Sequence, residues 1–190
     1  MPDEQAIIAR IADGDQHALH ELYTTYRPRL RRYLWHQLQG DHGLVEEALQ
    51  DIFLSVWKSA GTFRHEAQVG TWLFRIARHR VSHQRRDTAR RPEGHLIHLD
   101  ENDDESATPL HILSHKDAVV ERLALNDALN QLSEKHREVL ELIFRYGFSL
   151  EEVAQILEVP AGTIKSRISY ARRALMRELA TANAREEDKP

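Results

Sequence analysis

The chain has 190 residues, enough for one ordinary domain or two small ones. With 41% hydrophobic and 29% charged residues it can bury cores, yet no apolar run approaches the ~18–20 residues of a membrane span. Without cysteine, disulfides and thiolate metal sites are excluded, while the formal net charge of -4 argues mildly against a nucleic-acid partner. Only 8 Gly and 6 Pro interrupt a chain rich in Leu, Ala, Glu and Arg, which favours helix over sheet. Met1-Pro2-Asp3-Glu4 has neither the basic nor the apolar region of a secretory signal, so the expected location is the cytoplasm, with no membrane insertion.

In chain order, residues 3–13 predict a short helix ended by Gly14, with Asp15 as N-cap of the next. Ala18, Leu19, Leu22, Tyr23 and Tyr26 recur at helical spacing, and Pro28 is expected to bend or restart the helix before Leu30, Tyr33, Leu34 and Leu38 continue the stripe. After the turn at 40–43, a third helix from about Leu44 to Ser59 carries one wide apolar face: Val45, Ala48, Leu49, Ile52, Phe53, Val56 and Trp57. Gly61 closes it. Thr71 is the expected cap of a fourth helix with Trp72, Leu73, Ile76, Ala77 and Val81 inside. Arg64, Arg75, Arg78, Arg80, Arg85, Arg86, Arg90 and Arg91 make this region basic, opposed by Glu66 and Asp87.

From 92 to 116 the periodicity fades into a polar, acidic stretch that includes Asp100-Glu101-Asn102-Asp103-Asp104-Glu105 and reads as a flexible linker. A second domain begins near Asp117 with Val120, Leu123, Ala124, Ala128, Leu129 and Leu132 at helical spacing. Ser133 begins a capping-type start for a helix holding Val139, Leu140, Leu142, Ile143 and Phe144, which Gly147 stops. Ser149 caps a short helix over 150–157, and Thr163 opens a last one reaching about Leu179. The expected architecture is all-α: two small helical domains, 1–91 and 117–180, joined by the linker 92–116 and followed by a disordered tail, 181–190.

Ser149 to Leu175 has the pattern of a helix-turn-helix. Val153, Ala154 and Leu157 face inward, Val159 plugs the turn, and Ile164 and Ile168 anchor the second helix. Lys165, Ser166, Ser169, Tyr170 and Arg173 are left outward on a run that is basic from Lys165 to Arg177. A recognition helix enters the major groove by its N-terminal turns, where Lys and Ser reach base edges or phosphates. Free amides around Gly162 and Thr163 suit a phosphate. An ordinary helical hairpin with a solvated basic face is the competing explanation.

Pro160-Ala161-Gly162-Thr163-Ile164-Lys165-Ser166-Arg167 resembles the Pro-x-Gly-Thr-Val-Lys-Ser-Arg signature of region 4 of bacterial sigma factors. Leu132 to Val139 is similar to the Leu-Pro-x-x-x-Arg-x-Val that opens that region, with Ser133 in place of Pro. Glu46 to Trp57 resembles the acidic helix of region 2.2, and Thr71-Trp72-Leu73-Phe74-Arg75-Ile76-Ala77-Arg78 the Trp-Leu-x-x-Ile-Ala stretch of regions 2.3 and 2.4. Both motif sets, in order and covering most of the chain, resemble the extracytoplasmic-function group of alternative sigma factors.

The resemblance implies a protein that binds core RNA polymerase and directs promoter-specific initiation, with no catalysis and no cofactor. It implies that Glu47, Gln50 and Asp51 meet the clamp helices of the largest subunit, and that the polymerase flap is a further contact. Arg75, Arg78, His79, Arg80, Arg85 and Arg86 are the candidates for reading and melting the −10 element. Members commonly carry Asn where this chain has His79, which bears on the −10 sequence read. Thr163, Lys165, Ser166, Arg167, Ser169, Tyr170 and Arg173 are the candidates for the −35 element. An anti-sigma factor is an implied partner, and the linker is implied to thread the polymerase channel.

Two other classes compete. A stand-alone helix-turn-helix regulator would bind DNA without polymerase, but leaves the acidic third helix unexplained. A metal-dependent hydrolase using Glu46, Glu47 and Asp51 lacks a second facing acidic set. His79 and His83, four apart, have chelating spacing but no suitably placed further ligand, so no metal is expected.

Overall fold

The computed structural model describes residues 3–64, 67–90, 129 and 131–187, with backbone alone at 87–90 and 178–187. Among these residues there is helix and no strand. They fall into two compact units, one holding the helices up to residue 90 together with Gln155–Leu157, the other the remaining described residues after 128. The expected linker 92–116, its histidines at 95, 98, 111 and 115, and most of the expected helix over 117–132 lie outside the described residues.

The first unit contains α1 (Glu4–Ala12), α2 (Gln16–Gln37), α3 (His42–Ser59) and α4 (Val69–Arg90), with a 3-10 turn at Ala60–Thr62. Each of the first three helices starts on an aspartate. Asp3, Asp15 and Asp41 accept backbone N–H bonds from the first turn, satisfying donors that a helix start leaves open. The Asp15 carboxylate also accepts from Arg10, which reaches Glu21 as well, so the α1–α2 corner is closed by a charged cluster. At the other end of α2, Gly40 has φ +78, a left-handed conformation that favours glycine, and a Cβ there would sit 3.2 Å from the Trp35 ring, which would have to give.

α2 packs against α1, α3 and α4, and α3 against α4. Ile8 and Ile11, Leu22 and Leu30, Leu49 and Ile52, and Leu73 and Phe74 supply the fully buried centre. Pro28 does not restart α2, which runs unbroken through it. Its buried stripe is continuous on both sides of the proline, and packing of that face offsets one missing hydrogen bond at an exposed position. α4 starts at Val69, so Thr71 lies inside the first turn and is buried rather than capping.

The second unit contains α5 (Glu134–Leu140), continued by a π turn at Glu141–Arg145, then α6 (Leu150–Leu157) and α7 (Ala161–Glu187). Leu132, Leu140 and Ala171 form a buried cluster joining α5 to α7, with Leu129 and Ala174 packed on it. Ser133 precedes α5, but its side chain caps no backbone amide and bonds His136 instead. Phe144, one of the apolar residues this helix is expected to hold, is 73% exposed. The π turn widens the helix at this point and shifts the face on which later residues fall, while Leu142 stays buried. α7 also runs beyond the expected end near Leu179, through most of the segment expected to be a disordered tail.

Candidate nucleic-acid and polymerase interfaces

On α3 the apolar face points into the bundle and leaves Glu47, Gln50 and Asp51 along the outer stripe, 55% and 43% exposed at the two acids. Leu54, in the stretch that resembles region 2.2 but not among the candidate contact residues, completes the stripe at 50% exposure, one turn on from Gln50 and Asp51. The acids are flanked by arginines on both sides. Arg80 of α4 sits 2.8 Å from Glu47 and 2.6 Å from Asp51, and Arg27 and Arg31 of α2 lie 3.5 Å from Glu46.

That geometry divides the −10 candidates. Arg75, His79 and Arg86 occupy one exposed line along α4, spaced by four and then seven residues. Arg80 is only 19% exposed and is held in the α3–α4 seam by the acids assigned to polymerase. Arg85 donates to the backbone carbonyl and side-chain oxygen of Gln37 at 2.8 and 3.0 Å, closing the C-terminal end of α2. Arg78 is half-buried and bonds Ser82 on its own helix. The sequence put all six together because charge is visible in a sequence and partners are not. Trp72 is buried against Phe63 with ring centroids 5.0 Å apart, a core anchor as expected.

The helix-turn-helix is built as its pattern predicts at both ends of α6. Ser149 accepts from the Glu152 amide while the Glu152 carboxylate accepts from the Ser149 amide, a reciprocal capping box. Glu158 ends the helix with φ 54, its amide bonded to the Ala154 carbonyl. Val153 and Ile164 are fully buried, Ile156 is buried without having been anticipated, and Ala154, Leu157, Val159 and Ile168 are half-buried.

On α7, Lys165, Ser166, Ser169, Tyr170 and Arg173 are all exposed, and Thr163 and Arg167 are half-buried. The Thr163 amide already donates to the Pro160 carbonyl, so it is not the free phosphate donor expected. Ser166 donates its hydroxyl proton to the Gly162 carbonyl, and Arg173 donates to the Ser169 carbonyl. His136 of α5, noted in the sequence only as part of a capping pattern, stacks on Tyr170 at 4.4 Å with 22° between planes. Burial, and secondarily the nearby Arg167, depress its imidazole below the ordinary histidine range. Residues 34 apart in sequence carry no local spacing that would have revealed the pair.

An acidic helix beside a basic one in one helical unit, and a helix-turn-helix in another, define the class of two-unit helical proteins that carry a helix-turn-helix. The family model for ECF sigma factors matches residues 1–181, and the chain belongs to that family. It is 31% identical over 172 residues to the ECF sigma factor SigL of Mycobacterium tuberculosis, covering 90% of this chain and 93% of that one. The sigma-E factor of Escherichia coli is 29% identical over 181 residues, covering 90% and 92%. Among solved structures, the sigma factor RpoE of Bartonella quintana in complex with the anti-sigma factor NepR superposes with a TM-score of 0.63 at 28% identity, covering 85% of this chain and 96% of that one. CnrH in complex with the cytosolic domain of CnrY shares the fold, with a TM-score of 0.64 at 23% identity. The protein is an alternative sigma factor that directs transcription with RNA polymerase.

Proposed function

We propose that the two units divide the work of promoter recognition. The stripe Glu47, Gln50, Asp51 and Leu54 docks on the clamp helices of the largest polymerase subunit, with charge complementarity setting register. Arg75, His79 and Arg86 face the −10 element, where melting needs cations along the displaced strand and a surface for an extruded base. Lys165, Ser166, Ser169 and Tyr170 face the −35 element, with Arg167 and Arg173 toward phosphates. The flap holds the second unit, residues 92–116 tether the two, and an anti-sigma factor binds the chain, as NepR binds RpoE in their complex, and keeps it from polymerase. The protein acts in the cytoplasm and catalyses nothing.

The observation that carries this is the split of α7: Ile164 and Ala171 are fully buried, while Lys165, Ser166, Ser169 and Tyr170 are exposed on the opposite side. Transcription in vitro with core polymerase on a genomic promoter library tests it. Lys165→Ala with Ser166→Ala should cut output from −35-dependent promoters roughly tenfold or more, each lost base contact being worth about 1–3 kcal/mol. Unchanged output would move −35 reading elsewhere. Tight promoter binding by the free chain, indifferent to added core enzyme, would favour a stand-alone regulator.

A further inference from the structure

Tyr170 stands 54% exposed on the outward face of α7, yet its ring is stacked rather than fully solvated. One side lies against the His136 imidazole, 4.4 Å away and within 22° of parallel. That imidazole is itself held: Ser133 Oγ lies 2.7 Å from its Nδ1. Ser133 is fixed in turn, because its carbonyl accepts from the amides of His136 and Arg137 at the start of α5. Beneath the stack, α5 is tied to α7 by the buried cluster of Leu132, Leu140 and Ala171, the last adjacent to Tyr170. A chain of contacts therefore runs from the core of the unit to an aromatic ring on the face assigned to DNA.

The geometry points to His136 as a positioning residue for −35 recognition, which sets where Tyr170 presents its ring edge and hydroxyl to the groove. The inference rests on the reading that the outward face of α7 meets the −35 element. A long exposed side chain that must be ordered on binding contributes less than one ordered beforehand, so a stacked tyrosine discriminates bases better than a mobile one. The imidazole serves as a plate rather than as a cation: burial and, secondarily, the nearby Arg167 disfavour its protonated form, and one ring nitrogen is occupied by Ser133. This makes the three-residue unit Ser133, His136 and Tyr170 a specificity device spanning two helices.

The test uses the full chain assembled with core polymerase, scored on a cognate promoter and on each single-base change of its −35 element. Tyr170→Ala should lose preference at one or two base positions. His136→Ala should lose it at those same positions, by roughly two- to tenfold, the range of an aromatic pair, and no further in the double variant. His136→Phe, which keeps the plate, should restore the preference, and Ser133→Ala should give a partial loss. The salt dependence of binding should not move, since no phosphate contact is removed. A loss spread evenly over all positions, additivity with Tyr170→Ala, or a shallower salt slope would overturn the assignment, the last by making His136 a phosphate ligand. If Tyr170→Ala alters preference and His136→Ala does not, only this inference falls. If Tyr170→Ala alters nothing, the reading of α7 falls, and this inference with it.

Discussion

Ser149 is a small residue with a large local consequence. Its hydroxyl and the Glu152 carboxylate close both ends of a capping box on an eight-residue helix, which is too short to persist by propensity alone. Ser149→Ala is expected to destabilise the second unit by about 1 kcal/mol, read as a lower denaturant midpoint with an unchanged slope. Asp15 plays the matching part in the first unit, with a pH signature. The Arg10 hydrogen bond, followed by backbone donation from Ala18, holds its carboxyl below the ordinary 3.8. A depressed folded value means that its contribution is present above pH 3.8 and is lost as pH falls through the lower folded value. Asp15→Asn, which keeps a cap acceptor and drops the charge, should flatten the acid limb of stability below pH 4; an identical limb would remove Asp15 from acid unfolding.

At the scale of elements, α3 and α4 are one electrostatic object. Arg80 satisfies Glu47 and Asp51 at once, so reversing Asp51 to Lys would set two cations against each other in the seam. A loss of polymerase binding in that variant would mix folding with docking. Gln50→Ala and Leu54→Glu leave Arg80 untouched. Both should weaken co-purification with core polymerase, Leu54→Glu by tenfold or more on the scale of about 1.4 kcal/mol per decade. Both should leave thermal stability within about 0.5 kcal/mol, as exposed substitutions do. Full retention of binding by Leu54→Glu would take the stripe out of the interface. α2 teaches the same lesson about packing: Pro28 marks a break by local rules, and the buried face running through it keeps the helix whole.

For the whole molecule, a net charge of -4 misleads because charges act where they are placed. Glu46, Glu47 and Asp51 share the outer side of α3, exposed cations line α4, and others line α7, each on a face opposite buried aliphatics. The promoter-library experiment belongs to this scale, since only the assembled enzyme presents the two units to one promoter.

The amino-acid sequence by itself determined the all-helical class, the bounds of most helices and the inward and outward faces of α3 and α7. Those follow from periodicity and from capping residues a few positions apart, which are local physics. Only the tertiary structure decided which cations stand exposed on α4 and which are tied up between helices. Arg80 and Arg85 are drawn as strongly charged as Arg75 and Arg86 in a sequence, yet they close ion pairs and a helix end supplied by α3 and α2. The pairing of His136 with Tyr170 was hidden for the same reason: a contact between distant residues is fixed by how helices pack, and no spacing along the chain encodes it.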